Sequence, residues 1–87
     1  MTSRQVSHVK DHPLSGDVIE ITEKKSEDGE SFNIETMIRV VAFHEERVWF
    51  KEYGKGHFLC TLSKWKERLS ASLRSVVIRG ADFDAPF

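Results

Sequence analysis

Apolar and polar residues alternate along three short stretches of the chain, a pattern typical of β-strands with one buried face. The first stretch, residues 18–23, places Ile19 and Ile21 on the same side. Residues 47–53 and 57–62 continue the pattern further along the chain. The positions expected to face inward in these two stretches are Val48, Phe50, Phe58, Cys60 and Leu62. The sequence therefore predicts at least three strands.

Residues 32–43 are compatible with two structures. Ile34, Met37, Ile38 and Val41 have the spacing of one helical face, but the same segment also fits a strand that is partly covered on both sides. A run of β-branched residues favours the strand; it consists of Ile38, Val40 and Val41. Periodicity alone leaves both structures open.

Two glycine-containing segments predict turns. Residues 24–31 are highly charged and contain Asp28-Gly29, a strong turn signal, so we expect an exposed loop there. Gly54-Lys55-Gly56 lies between two predicted strands and has glycine where a positive φ is needed, so we expect a hairpin.

One amphipathic helix is predicted to begin near Ser63, whose hydroxyl can accept a hydrogen bond from a free backbone N–H of the first turn. Its apolar stripe comprises Trp65, Leu69, Leu73 and Val76. Residues 76–78 either end this helix or form a last short strand.

Together these elements predict an α+β fold of about four antiparallel strands, arranged as an open sheet or an SH3-like barrel and covered by one C-terminal amphipathic helix. The 87 residues have room for one core, so residues 14–80 are expected to form a single domain. Residues 1–13 are polar and predict a flexible N-terminal arm. Residues 81–87 form an acidic, aromatic tail.

The net charge of −1 conceals an uneven distribution along the chain. Residues 1–46 carry five basic and ten acidic side chains, whereas residues 47–87 carry eight basic and four acidic ones. The near-neutral total is therefore a cancellation between an acidic half and a basic half. An anionic partner becomes plausible if the fold keeps the two halves apart.

Several classes of protein receive no support from the sequence. The longest apolar run is four residues, 40–43, against the roughly 20 that a membrane-spanning helix needs. The N-terminal sequence also lacks the apolar centre of a secretion signal. Cys60 is the only cysteine, so a disulfide within the chain is excluded and a reducing, cytoplasmic location is expected.

Enzymatic catalysis and metal binding also find little support. His8 and His12 have the spacing of a helical metal pair, but Pro13 follows directly and no apolar stripe supports a helix. His57 and Cys60 are three residues apart on a predicted strand, so they should point to opposite faces and not form a nucleophile and its base. We expect a non-enzymatic protein without a metal or another cofactor.

The basic half contains a better candidate site, in which cationic side chains are interleaved with aromatic ones. Rings stack on the bases of single-stranded nucleic acid, and cations contact its phosphates. The candidate nucleic-acid-binding residues are Arg47, Lys51, Tyr53, Lys55, Lys64, Lys66 and Arg68. In the competing interpretation, Trp49 and Tyr53 pack beneath the helix and the lysines only make the surface soluble.

The tail offers a second type of contact. Phe83 and Phe87 could anchor it in a partner, or the tail could fold back onto its own sheet. Exposed sheet edges in so small a domain also favour a homodimer or a partner protein. The alternative function is thus a protein-binding adaptor or inhibitor of a host protein, acting through a sheet edge, exposed aromatic residues or this tail.

Several short motifs resemble small phage and prophage proteins with SH3-like sheets. They are a Leu-x-Gly-Asp-Val-x-x-Ile segment at residues 14–21, Arg-Val-x-Phe at 47–50, the glycine turn at 54–56, Cys60, and a Leu-x-x-Trp-x-x-x-Leu helix at 62–69. The resemblance spans roughly residues 14–70 and implies an SH3-like sheet and a phage or prophage origin. It brings no activity or functional residue with it.

Overall fold

The structure is a computed structural model, and it describes residues 5–79. In chain order the elements are α1 (Val6–Asp11), β1 (Val18–Glu27), β2 (Glu30–His44), β3 (Arg47–Glu52), β4 (Gly56–Thr61), α2 (Leu62–Ala71) and β5 (Arg74–Arg79). The strands form one five-stranded sheet in the order β4-β3-β2-β1-β5, and every neighbouring pair is antiparallel.

The sheet is open, with β4 at one edge and β5 at the other. The first four strands form a meander, after which α2 crosses the sheet and delivers β5 to the side of β1. The α+β class and the open antiparallel sheet are therefore confirmed. Five strands replace the expected four because residues 76–78 belong to β5 and do not extend the helix.

The hydrophobic core lies between the helices and one face of the sheet, which we call the inner face. It consists of Val9, Ile19, Ile21, Ile38, Val40, Val48, Phe50, Trp65 and Leu69. Residues 32–43 lie within β2, which settles the choice between helix and strand. The β-branched residues of this segment thus adopt the extended backbone that they favour.

The N-terminal segment differs from the expected flexible arm, because residues 6–11 form α1. Val9 is completely buried, and its carbonyl oxygen accepts a hydrogen bond of 3.1 Å from the indole Nε1 of Trp65 on α2. A helix of six residues has little stability on its own. Packing against α2 stabilises it, and that contact spans 56 positions of sequence.

The N-cap of the second helix lies two residues earlier than predicted, at Thr61 and not at Ser63. Thr61 is the N-cap residue, and its Oγ1 accepts a hydrogen bond of 3.2 Å from the backbone N–H of Lys64. At the other end, the hydroxyl of Ser72 donates to the carbonyl of Leu69 at 2.8 Å. Leu73, which the sequence placed on the apolar stripe, lies beyond the helix and is exposed.

The expected loop at residues 24–31 is instead the end of a hairpin. Strand β1 continues to Glu27 and β2 starts at Glu30, so the turn contains only Asp28 and Gly29, with φ of 51° and 80°. Two left-handed residues are the signature of the tightest hairpin turn, which Asp-Gly favours. At the 54–56 hairpin, Gly54 and Gly56 have the expected positive φ.

Strand β2 contains one irregularity that shapes the sheet. Val40 pairs with Phe50 and Ala42 pairs with Trp49, so Val41 is an extra residue without a partner position on β3. Such a bulge bends the strand and redirects neighbouring side chains. Val41 and the neighbouring Trp49 are both exposed, whereas Val48 and Phe50 of β3 are buried on the other face of the sheet.

Candidate functional site

The face of the sheet opposite the helices, which we call the outer face, carries a regular series of side chains on β3. Val48, Phe50 and Glu52 of this strand are buried on the inner face. The alternate residues point outward: Arg47, Trp49, Lys51 and, just past the strand, Tyr53. Successive outward side chains on a strand lie about 6.8 Å apart. Cation and ring therefore alternate along one line of the surface.

Both rings of this series are open to solvent. Trp49 is 51% exposed and Tyr53 is 68% exposed, and neither belongs to the core. The interpretation in which they pack beneath the helix does not describe their position, since α2 covers the other face. Leu59 of β4 pairs with Trp49 and is 63% exposed, so it extends the apolar part of the outer face to the sheet edge.

Strand pairing adds two side chains that the sequence analysis missed. Lys51 is paired with Arg39 on β2 and with His57 on β4, so three nitrogen-bearing side chains form a row across adjacent strands. Neither addition had a local signal in the sequence. Arg39 lies in the segment whose structure was undecided, and its pairing with Lys51 depends on the register of β2 and β3.

Two carboxylates lie on the outer face next to Tyr53. A hollow there is lined by Glu20, Ile34, Glu35, Thr36, Met37, Tyr53 and Lys55. Lys55 is at the tip of the β3–β4 hairpin and is exposed. The two carboxylates belong to β1 and β2, whereas Arg39, Lys51 and His57 lie on β2, β3 and β4. Cations also lie near the carboxylates, since Lys55 lines the same hollow and Arg74 shares the partner Thr22 with Glu35.

The remaining candidate residues lie on α2, in the other layer of the molecule. Lys64 and Lys66 are exposed on that helix. The Nζ of Lys66 lies 3.4 Å from Oδ1 of Asp11 in α1, which forms a surface ion pair. The structure thus brings Arg47, Lys51 and Tyr53 together on the outer face and does not bring the helical lysines to them.

Arg68, also on α2, is held by two carboxylates beneath the helix. Its Nε and Nη2 donate to the two carboxylate oxygens of Glu23 at 3.3 and 2.9 Å, and its Nη1 forms a salt bridge with Glu52. The guanidinium also lies 5.9 Å from the ring centre of Phe50. One cation therefore joins α2 to β1 and β3.

The pKa values of Glu23 and Arg68 reflect this cluster of interactions. The hydrogen bond from Arg68 lowers the pKa of Glu23, although burial opposes the change. Burial alone would lower the pKa of Arg68, but its hydrogen bonds to Glu23 and Glu52 outweigh burial and raise it. Glu23 and Arg68 are thus both held in their charged forms at neutral pH.

A second surface feature lies between α2 and the edge strand β4. It is an open groove of about 400 Å³ with a mainly apolar floor, lined by Phe50, Phe58, Leu59, Cys60, Lys64, Trp65, Glu67, Arg68 and Ala71. The rings of Phe50 and Phe58 stack in its wall with their centres 5.7 Å apart. Within residues 5–79, no further strand pairs with the outer edge of β4.

The residues considered for catalysis and metal binding are placed apart. His57 pairs with Lys51 on the outer face, whereas Cys60 pairs with the buried Val48 on the inner face. Burial raises the pKa of the Cys60 thiol, an effect that nearby Arg68 partly offsets. Among the described residues, no three His, Cys, Asp or Glu side chains are grouped as metal ligands. None of the helices in residues 5–79 is long and apolar enough to span a membrane.

Comparison with protein-family models, curated proteins and solved structures finds no match to this chain. The fold and the surface therefore define the class of protein by themselves. It is a small α+β domain with an open antiparallel sheet, whose inner face packs on α1 and α2 and whose outer face carries exposed rings and cations.

Proposed function

We propose that the protein is a small, non-enzymatic binding module that contacts single-stranded nucleic acid, or a complex containing it, through the outer face of its sheet. The observation that supports this most directly is the outward series on β3, in which Arg47 and Lys51 alternate with the exposed rings of Trp49 and Tyr53. Rings and cations along one line match the bases and phosphates of an unpaired strand.

The charge distribution supports one location for the strand. Glu20 and Glu35, which line the hollow beside Tyr53, repel phosphates, whereas Arg39 and Lys51 attract them and an imidazole N–H of His57 can donate a hydrogen bond. The nucleic acid therefore lies over β2, β3 and β4, with its phosphates on Arg39 and Lys51 and with Tyr53 at the boundary to the two carboxylates. Lys64, Lys66 and Arg68 take no part in this interface, because they are in the helical layer.

The exposed rings favour single strands over duplexes. Stacking of a base on an aromatic side chain contributes about 1–3 kcal/mol per base, but the base must be unpaired to reach the ring. A duplex keeps its bases stacked on one another, so it gains only the phosphate contacts. We therefore expect a single-stranded oligonucleotide to bind more tightly than the duplex of the same sequence.

The proposal is tested by fluorescence anisotropy with a labelled oligothymidylate and with a duplex, each measured at two salt concentrations. Replacing Trp49 with Ala should weaken single-strand binding by about tenfold, the equivalent of roughly 1.4 kcal/mol of stacking. Lys64→Gln, which removes a cation from the helical layer, is the matched control and should leave binding unchanged. Absence of binding to either oligonucleotide at low salt would exclude the proposal.

The groove between β4 and α2 supports a second candidate function, a protein-binding adaptor or inhibitor of a host protein. An apolar groove beside an unpaired strand edge suits an extended segment of another protein, which can add to the sheet and place side chains on the groove floor. The same edge could instead join two copies into a homodimer. Phe83 and Phe87, the tail residues expected to contact a partner, lie outside the described residues.

The two candidates respond differently to salt and to substitution. Phosphate binding weakens steeply as salt rises, whereas an apolar groove contact changes little. Phe58→Asp places a charge in the groove and should abolish a protein contact or a dimer while leaving oligonucleotide binding intact. Sedimentation equilibrium of the native chain and of this variant measures the dimer directly. A phage or prophage origin and a cytoplasmic location complete the proposal and rest on the motif resemblance and on the single cysteine.

A further inference from the structure

A separate hollow of about 290 Å³ lies on the outer face beside the β2 bulge. It is lined by Ser15, Arg39, Val40, Val41, Lys51 and His57. Four of these side chains bear polar groups, and they come from four places in the chain: the segment before β1, and strands β2, β3 and β4. Among residues 5–79, no carboxylate lines this hollow, whereas Glu20 and Glu35 line the hollow beside Tyr53.

Strand pairing fixes the row of two cations and one imidazole. Arg39 pairs with Lys51, and Lys51 pairs with His57, so the three residues occupy equivalent positions on adjacent strands. Adjacent strands are about 4.8 Å apart, and the row therefore spans about 10 Å. Arg39 and Lys51 are half-buried, which keeps their side chains close to the sheet surface.

Backbone hydrogen bonds hold the fourth side chain at the same place. The N–H of Gly16 donates to the carbonyl of Val40 at 2.8 Å, and the N–H of Val40 donates to the carbonyl of Asp17 at 2.8 Å. These bonds attach the segment that carries Ser15 to the bulged part of β2. Val41, the extra residue of the bulge, also lines the hollow.

We infer that this hollow is a binding site for one phosphate group. A guanidinium can donate two parallel hydrogen bonds to phosphate, an ammonium contributes a compact positive charge, and a hydroxyl and an imidazole N–H donate as well. Arg39, Lys51, Ser15 and His57 supply this set of donors. The inference rests on the proposed function in one respect: the phosphate belongs to the backbone of the bound strand.

The position of the site relative to the rings makes the assignment more specific. Lys51 lies midway between Trp49 and Tyr53 on β3, and each ring is two residues away from it. A phosphate in the hollow therefore sits between two stacking positions, each about 6.8 Å along the strand. The site therefore fixes the position of the nucleic-acid strand on the sheet, and the bases on either side of the phosphate stack on the two rings.

Inorganic phosphate is the simplest probe of the site. In a ¹⁵N–¹H correlation titration at constant ionic strength, phosphate should cause saturable shifts of the amides around Ser15, Arg39, Lys51 and His57. Arg39→Gln should weaken this binding at least tenfold, and so should Lys51→Gln. Lys55→Gln is the matched control, since Lys55 is a cation of the same hairpin that does not line the hollow. Non-saturating shifts spread equally over other lysines would overturn the inference.

A second titration, with the labelled oligothymidylate, identifies the source of the phosphate. Loss of one phosphate contact lowers the salt slope of single-strand binding by about 0.7, so Arg39→Gln should show this loss and Lys55→Gln a smaller one. A half-buried arginine also contributes to packing, so the ¹⁵N–¹H spectrum of Arg39→Gln must keep the dispersed peaks of a folded protein. Ser15→Ala, at an exposed position, provides a second variant that does not threaten the fold.

The possible results separate the site from the function. Saturable phosphate binding without oligonucleotide binding means that the hollow takes a free anion: the phosphate site stands and the nucleic-acid function fails. If oligonucleotides bind, but the salt slope is unchanged in Arg39→Gln and phosphate causes no saturable shift, the nucleic-acid function stands and the phosphate site fails. Binding of both probes with loss of both in Arg39→Gln and Lys51→Gln supports the inference in full.

Discussion

Replacing Arg68 with Met removes the cation that forms salt bridges with Glu23 and Glu52 beneath α2, while a side chain of similar length remains over Phe50. The side chains of Glu23 and Glu52 are only 20% and 7% exposed, so water cannot fully solvate the charges left behind. Breaking a buried ion pair in this way costs about 3–5 kcal/mol. Because the Arg68 side chain is itself 28% exposed, we expect the lower end of that range.

The consequence for stability should be easy to measure. A chain of this length has a total stability of roughly 4–13 kcal/mol, so a loss of about 3 kcal/mol is a large share. At about 4–8 °C per kcal/mol, the melting temperature should fall by roughly 12–24 °C in thermal denaturation followed by circular dichroism. Lys64→Met on the exposed side of the same helix is the control and should shift it by little.

The pH dependence gives a second signature. The pKa of Glu23 is lowered in the folded protein, so its contribution to stability is present above its ordinary pKa of 4.5 and is lost as the pH falls. In Arg68→Met the Glu23 carboxylate is buried without its salt-bridge partner and gains from protonation. The difference in the free energy of unfolding between the native protein and Arg68→Met should therefore be largest at pH 7 and should decrease below about pH 5. A loss smaller than about 1 kcal/mol at pH 7, or a difference independent of pH, would refute the structural role of Arg68.

Three further predictions concern other parts of the fold. Glu45 and Glu46 form the β2–β3 turn with φ of 50° and 59°, a left-handed backbone that strains most side chains. Replacing the two residues with Asn-Gly should therefore raise the free energy of unfolding by about 1 kcal/mol in urea denaturation. An unchanged free energy would show that the turn is not strained. Trp65→Phe should cost about 1–3 kcal/mol by leaving the buried carbonyl of Val9 without its donor, whereas an unchanged midpoint would mean that α1 is not docked. Cys60 should react with a disulfide reagent more slowly at pH 7 than a free thiol does, because burial raises its pKa, and equal rates would show an accessible thiolate.

Much of the fold could be predicted from the sequence because its signals are local. Alternation at residues 47–53 identifies which side of β3 is buried, and it holds whatever strand lies alongside. The Asp28-Gly29 turn depends on the left-handed preference of two adjacent residues, although the strands continue closer to it than expected. Helix α2 follows from its apolar spacing, but its cap moved from Ser63 to Thr61 because several nearby hydroxyls satisfy the same local rule.

The candidate site divides in the same way. The sequence placed Trp49, Lys51 and Tyr53 together, since residues two positions apart on a strand share a face. It could not place Arg39 beside Lys51, because a bulge at Val41 sets the register that joins them. It also counted Arg68 among the binding cations, although that side chain meets Glu23, a partner 45 positions away in sequence.

The sequence by itself determined the α+β class, the outward series of rings and cations on β3, and the excess of basic residues in the second half of the chain. The tertiary structure alone decided where those charges lie. Strand order and register put Arg39, Lys51 and His57 in one row and leave Lys64 and Lys66 in the other layer. The physical reason is that pairing between distant strands and the burial of ion pairs depend on contacts that no local window of residues contains.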